Sequence, residues 1–96
     1  MSDKRPHLHH NTTSHFWHNY NALPQTVRQV ADKNFQLLES TPDHPSLQLK
    51  RIDHYWSVRA GIRYRALGVD DPEESNTILW FWIGSHAEYD RLIANQ

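Results

Sequence analysis

The chain contains no cysteine, so neither a disulfide framework nor a thiolate metal site is open to it. No apolar run approaches the roughly 18 residues of a membrane span, and no membrane partner is expected. The opening stretch MSDKRPHLHHN is charged but has no apolar core segment, so it does not read as a signal peptide. There is no internal repeat and no low-complexity tract. Charge of either sign is not in excess either, because the formal net charge is −1. These absences leave a single small domain, expected to be soluble and cytoplasmic. A chain of 96 residues supports one modest core, since a domain of this size buries somewhat over roughly 60% of its unfolded surface.

The charge that is present is unevenly placed. Residues 46–69 hold Lys50, Arg51, Arg59, Arg63 and Arg65 against Asp53, a net of +4. Residues 70–96 hold Asp70, Asp71, Glu73, Glu74, Glu88 and Asp90 against Arg91, a net of −5. The first 45 residues balance. A field can be local when the total is near zero, so the middle block remains able to attract an anion.

Periodicity orders the elements. Residues 1–12 are polar and rich in histidine, and are read as a flexible arm or a short edge strand. Residues 13–96 form one domain. Thr13 or Ser14 can cap a first helix, on which Phe16, Trp17, Tyr20 and Leu23 recur at helical spacing. Pro24 suits the first turn of a second helix, whose apolar face is Val27, Val30, Ala31, Phe35 and Leu38. Pro42 and Pro45 end it. The period then changes to two. SLQLKRI alternates as a strand, with Leu47 and Leu49 on one side. In the next strand Trp56, Val58 and Ala60 share a face, and Tyr55, Ser57 and Arg59 share the other. A three-residue turn, Gly61–Ile62–Arg63, sets Ala60 opposite Tyr64 and Arg59 opposite Arg65. TILWFWIG is apolar on both faces and reads as a central strand, with Trp80 and Trp82 on one face and Leu79, Phe81 and Ile83 on the other. SHAE is a capping box that starts a short C-terminal helix. Helices followed by strands predict an α+β domain: a helical hairpin on a twisted, mostly antiparallel sheet of four or five strands.

The hairpin ending in HPSLQLKRI, then WSVRAGIRYRAL, then an acidic connection and WFWIGSHAEY, resembles the RelE/ParE superfamily of bacterial toxins over about residues 12–93. The motifs are Arg59, Gly61, Tyr64 and Arg65 around the turn, and Gly84 and His86 followed by Tyr89. The resemblance implies a RelE/ParE-like fold, a cognate antitoxin as partner, and a toxin that cuts mRNA on the ribosome. A ParE-type branch of the same fold acts on DNA gyrase instead. The chain departs from the pattern in three ways. Its turn is one residue longer than the common Arg-x-Gly-x-Tyr-Arg form, its pI of about 6.7 is low for an mRNA-cutting member, and it has Ser85, Glu88 and Asp90 around the C-terminal strand where several ribonuclease members place lysine or arginine.

Metal-free RNA cleavage needs a base for the 2′-OH proton, cations for the charged phosphorane, and an acid for the leaving 5′-oxygen. It needs no cofactor. Arg65 is the expected phosphate fork. Lys50, Arg51, Arg59 and Arg63 are expected to bind RNA phosphates. His86, at the start of the last helix, suits a base when neutral and an acid when protonated. Tyr89 either assists or stacks on a base. Trp80 and Trp82 are weaker candidates for base stacking, since at least one of them belongs in the core. His7, His9 and His10, and His15 with His18, do not make up the three or four converging ligands of a zinc site, so no metal is expected. Besides a ribosome-dependent endoribonuclease, the sequence leaves room for a gyrase-directed toxin and for a non-catalytic toxin-like binding module.

Overall fold

The computed structural model describes residues 8–94; residues 1–7, with His7, and residues 95–96 lie outside the described part. In chain order the elements are β1 (His9–Thr12), α1 (Ser14–Asn21), α2 (Gln25–Ser40), a 3-10 turn (Pro45–Leu47), β2 (Lys50–Ile52), β3 (Tyr55–Gly61), β4 (Tyr64–Asp70), β5 (Thr77–Ser85) and α3 (His86–Ala94). The five strands lie in the order β1-β5-β4-β3-β2. β1 runs parallel to β5, and the other neighbours are antiparallel. The α+β architecture is the one the periodicity predicts, in its five-stranded form, and β5 is interior.

Local chemistry explains the boundaries. Thr13 is the cap of α1, its hydroxyl accepting from the Phe16 amide at 3.1 Å. The Pro24 carbonyl accepts from the Val27 and Arg28 amides and opens α2. The β2–β3 hairpin turns on Asp53, which adopts φ 54°, a left-handed conformation that Asp tolerates better than most residues. Ala31 and Leu38 of α2 pack with Leu23, Leu47, Val58, Ala60, Ala66, Ile78, Trp80 and Ile83 in the main core. The two helices do not close over it. An apolar cleft of about 120 Å³ remains, lined by Phe16, Trp17, Tyr20, Phe35, Val58 and Trp80 among others. A second cluster of Leu67, Trp82 and Tyr89 lies on the opposite face of the sheet, under α3.

Three expectations are corrected. The strand expected over SLQLKRI is only Lys50–Ile52. Pro45 fixes a tight turn, the His44 imidazole accepts from the Ser46 amide at 3.2 Å, and Gln48 at φ 49° ends the turn. Leu47 is fully buried all the same, so the alternation reflected its burial and not a strand. The β3–β4 turn is also shorter than expected. Gly61 pairs with Tyr64, while Arg59 still pairs with Arg65 and Val58 with Ala66. A bulge at Ala60 absorbs the extra residue, so a two-residue turn coexists with the register of a three-residue one.

The third correction concerns the tryptophans, which do not share a face. Gly68 pairs with Trp80 and Leu67 with Trp82, so β5 carries one extra residue, Phe81, at a bulge. The bulge reverses the phase of the strand. Trp80 and Ile83 go to the helix side, Trp82 to the α3 side.

Candidate nucleic-acid interface

The α3 face of the sheet follows from the register. On β3 it presents Tyr55, Ser57 and Arg59, on β4 Arg65 and Leu67, and on β2 Lys50 across from Ser57. Arg59 and Arg65 are direct neighbours across the β3–β4 ladder. Arg65 is only 9% exposed. One terminal nitrogen donates to the Tyr64 carbonyl at 2.9 Å and more weakly to that of Gly61 at 3.4 Å. Burial, and then the Arg59 charge, pull the Arg65 pKa below the ordinary arginine value, partly opposed by Tyr89 and Asp90. The guanidinium remains charged nonetheless. The Arg59 Nε is buried and has no hydrogen-bond partner. Among the described residues the ion pairs are Arg51–Asp70 and His86–Asp90, and neither includes Arg59 or Arg65. Two adjacent, partly desolvated cations without a carboxylate in contact are costly unless an anion joins them.

His86 stands at the same corner. Gly84 pairs with Arg65 and Ser85 with Tyr64, and the His86 amide donates to the Arg63 carbonyl at 2.7 Å. The start of α3 is thereby fastened to the β3–β4 turn. The capping box is complete: the Glu88 amide donates to the Ser85 hydroxyl at 3.2 Å, and the Ser85 amide and hydroxyl donate to the Glu88 carboxylate at 3.4 and 3.0 Å. The His86 Nδ1 lies 3.0 Å from the Asp90 carboxylate, one turn along. Arg63 is exposed in the turn itself.

Other candidates are placed elsewhere. Tyr89 is 7% exposed and packs with Leu67 and Trp82. Its hydroxyl accepts from the buried Ser57 hydroxyl at 2.9 Å. The phenol therefore closes α3 against β3 and is not on the open surface expected of a catalytic or stacking group, although its ring lies 5.7 Å from that of His86. Trp80 is 3% exposed, and its indole N–H donates to His10 Nδ1 at 3.1 Å. Trp82 is buried beneath Gly84, where a Cβ would stand 2.5 Å from the indole ring. Neither tryptophan is available to stack a base. Arg51 lies over the Trp56 ring at 4.5 Å and pairs with Asp70 at 2.6 Å, on the other face of the sheet. Trp56 also donates to Asp70 at 2.9 Å. The bonds from Arg51 and Trp56 hold the Asp70 carboxyl below its ordinary range. Arg51 therefore does not join the cationic corner.

The corner thus brings together Lys50, Arg59, Arg63, Arg65 and His86. Sequence reasoning missed a half-buried aromatic pair on the same face, Tyr55 and Phe81, with ring centroids 5.8 Å apart at 47°. Alternation did place Tyr55 on the same face as Arg59; nothing local signalled the bulge that brings Phe81 to this side. His15 and His18 stack at 6.4 Å. Among the described residues no three His, Asp or Glu side chains converge on a metal position. No helix among them is long and apolar enough to cross a membrane.

Comparison by sequence finds no family model that matches and no curated relative. Comparison by structure does find neighbours. The archaeal RelE of the RelE–RelB complex from Pyrococcus horikoshii OT3 superimposes with a TM-score of 0.64 at 11% identity, over 84% of this chain and 97% of that one. The isolated Escherichia coli RelE toxin gives 0.58 at 13% identity, over 92% and 97%. The toxin–antitoxin complex RelBE2 from Mycobacterium tuberculosis gives 0.57 at 21% identity, over 81% and 96%. The chain shares the fold of these RelE-type toxin structures.

Proposed function

We propose that the chain is the toxin of a type II toxin–antitoxin pair and cuts mRNA on the ribosome without a metal. The observation that carries this reading is the Arg59–Arg65 pair, which makes no ion pair among the described residues and lies at the start of α3, where His86 stands. A scissile phosphate there would meet the Arg59 guanidinium, with the buried Arg65 charge beneath it, matched to the charge that grows on its oxygens in the transition state. Lys50 and Arg63 flank the corner and would hold neighbouring phosphates. Asp90 engages His86 at Nδ1, which would leave Nε2 as the nitrogen for proton transfer and supports the base role. The base removes the 2′-OH proton, the 2′-oxygen bonds to phosphorus, and the P–O5′ bond breaks as the 5′-oxygen takes a proton from water, giving a cyclic 2′,3′-phosphate and a 5′-hydroxyl. A cognate antitoxin that covers this basic corner would silence it, as RelB-type partners accompany several structural neighbours.

The buried Tyr89 favours a second reading, a toxin-like binding module without catalysis, because it removes one proton-transfer group from the surface. Expression without antitoxin separates the two. The nuclease arrests growth with mRNA cut inside coding regions, and Arg59→Ala and His86→Ala, checked for folding by circular dichroism, each relieve the arrest. If both folded variants arrest growth fully, the site assignment is wrong. Arrest with intact mRNA and a DNA-damage response would instead mark a ParE-type gyrase inhibitor. No arrest but a tight complex with a small neighbouring protein would mark the binding module.

A further inference from the structure

The α3 face of the sheet is only half covered. α3 lies over β4 and β5, and Tyr89 reaches β3 at Ser57. Beyond it the β2–β3 side is open. Going down β3 from the turn, this strip carries Arg59, then Ser57 with Lys50 across from it, then Tyr55 with Ile52 across from it. Same-face residues along a strand are about 6.6 Å apart, so Tyr55 lies about 13 Å from Arg59. At this end the Tyr55 ring leans on Phe81, and both rings remain half-buried.

We infer that Tyr55, braced by Phe81, is a stacking platform for a base of single-stranded RNA whose phosphates lie on Lys50 and Arg59. The inference rests on the RNA-binding reading above and adds the residue that takes a base. Cations in a row track a backbone but do not by themselves seat a base. An aromatic face at the end of the row supplies that hold, the combination by which single strands are gripped without a base-edge code. The strip fits a single strand better than a duplex: its aromatic pair needs an unstacked base, and only an unpaired strand offers one at low cost. Because every base has a π-face, the platform confers affinity and register ahead of sequence choice.

The test is binding of a short single-stranded RNA that carries 2-aminopurine at successive positions, followed by fluorescence. The full chain should change the fluorescence at one position and bind with strong salt dependence. Tyr55→Leu should weaken binding by roughly 5- to 150-fold, the loss expected for one stacked base. It should abolish the fluorescence change and leave the salt slope unaltered. Tyr55→Trp should retain both binding and signal. Arg59→Ala should lower the salt slope by about 0.7, the loss of one phosphate contact on a single strand, and keep the fluorescence change at saturating protein. If a folded Tyr55→Leu variant binds as tightly as the parent with the same fluorescence change, the platform is refuted while RNA binding stands. If the parent chain binds no RNA in this assay, the underlying reading fails and the platform with it.

Discussion

At the scale of single residues, contacts decide what each side chain can do, and three of them carry predictions. A Cβ at Gly84 would meet the Trp82 ring at 2.5 and 2.9 Å, and that ring is buried and cannot swing away. Gly84→Ala should therefore destabilise the fold by about 1–3 kcal/mol, the usual cost of overpacking, read as a lower urea midpoint. The Ser57–Tyr89 hydroxyl pair is buried, and Tyr89→Phe leaves the Ser57 hydroxyl without its partner. The expected loss is about 1–3 kcal/mol of stability, with toxicity retained if the phenol only packs. Loss of toxicity in a stable Tyr89→Phe protein would return the hydroxyl to the chemistry. Asp70 illustrates the pH dependence. Its carboxyl is held below the ordinary range by Arg51 and Trp56, so the unfolded chain takes up its proton first on acidification. The stabilisation is present above the ordinary carboxylate pKa and is lost as pH falls through the folded value. It is small, because the pair is exposed to solvent. Arg51→Ala should move the Asp70 carboxyl titration upward in an NMR experiment; an unmoved midpoint would discard Arg51 as the cause.

At the scale of elements, what could be read from the sequence is what short-range chemistry fixes. Thr13, Pro24 and the Ser85–Glu88 box act within three or four residues, and each starts its helix where expected. Ser85→Ala should cost about 1 kcal/mol, the usual value of such a cap, and should speed amide exchange in α3 before the sheet. What could not be read depends on partners distant in sequence. The bulge at Phe81 exists only relative to Leu67 and Gly68, so strict alternation placed Trp80 and Trp82 together. Leu47 satisfies a strand pattern but is buried from a proline turn. The candidate site divides the same way. Arg59 opposite Arg65, with His86 at the capped corner, followed from local register. The burial of Tyr89 and the capture of Arg51 by Asp70 followed from packing that only the folded chain shows.

At the scale of the molecule, a net charge of −1 conceals a separation. Asp70, Asp71, Glu73 and Glu74 cluster at the end of β4 and the β4–β5 connection, while Lys50, Arg59 and Arg65 share the α3 face of the sheet, with Asp90 of α3 close to Arg65. Attraction of RNA by so small a positive patch should be steeply salt-dependent, measurable with free RNA at low salt and much weaker near physiological salt, which would suit the proposed encounter with RNA already held in a ribosome. The central claim is that this corner cuts RNA there. The most direct measurement incubates purified protein with mRNA on programmed ribosomes and maps the ends by primer extension. The account predicts discrete cuts in the coding region with cyclic 2′,3′-phosphate ends, lost in folded His86→Ala and Arg59→Ala proteins. Intact mRNA in the presence of folded, growth-arresting protein would contradict it.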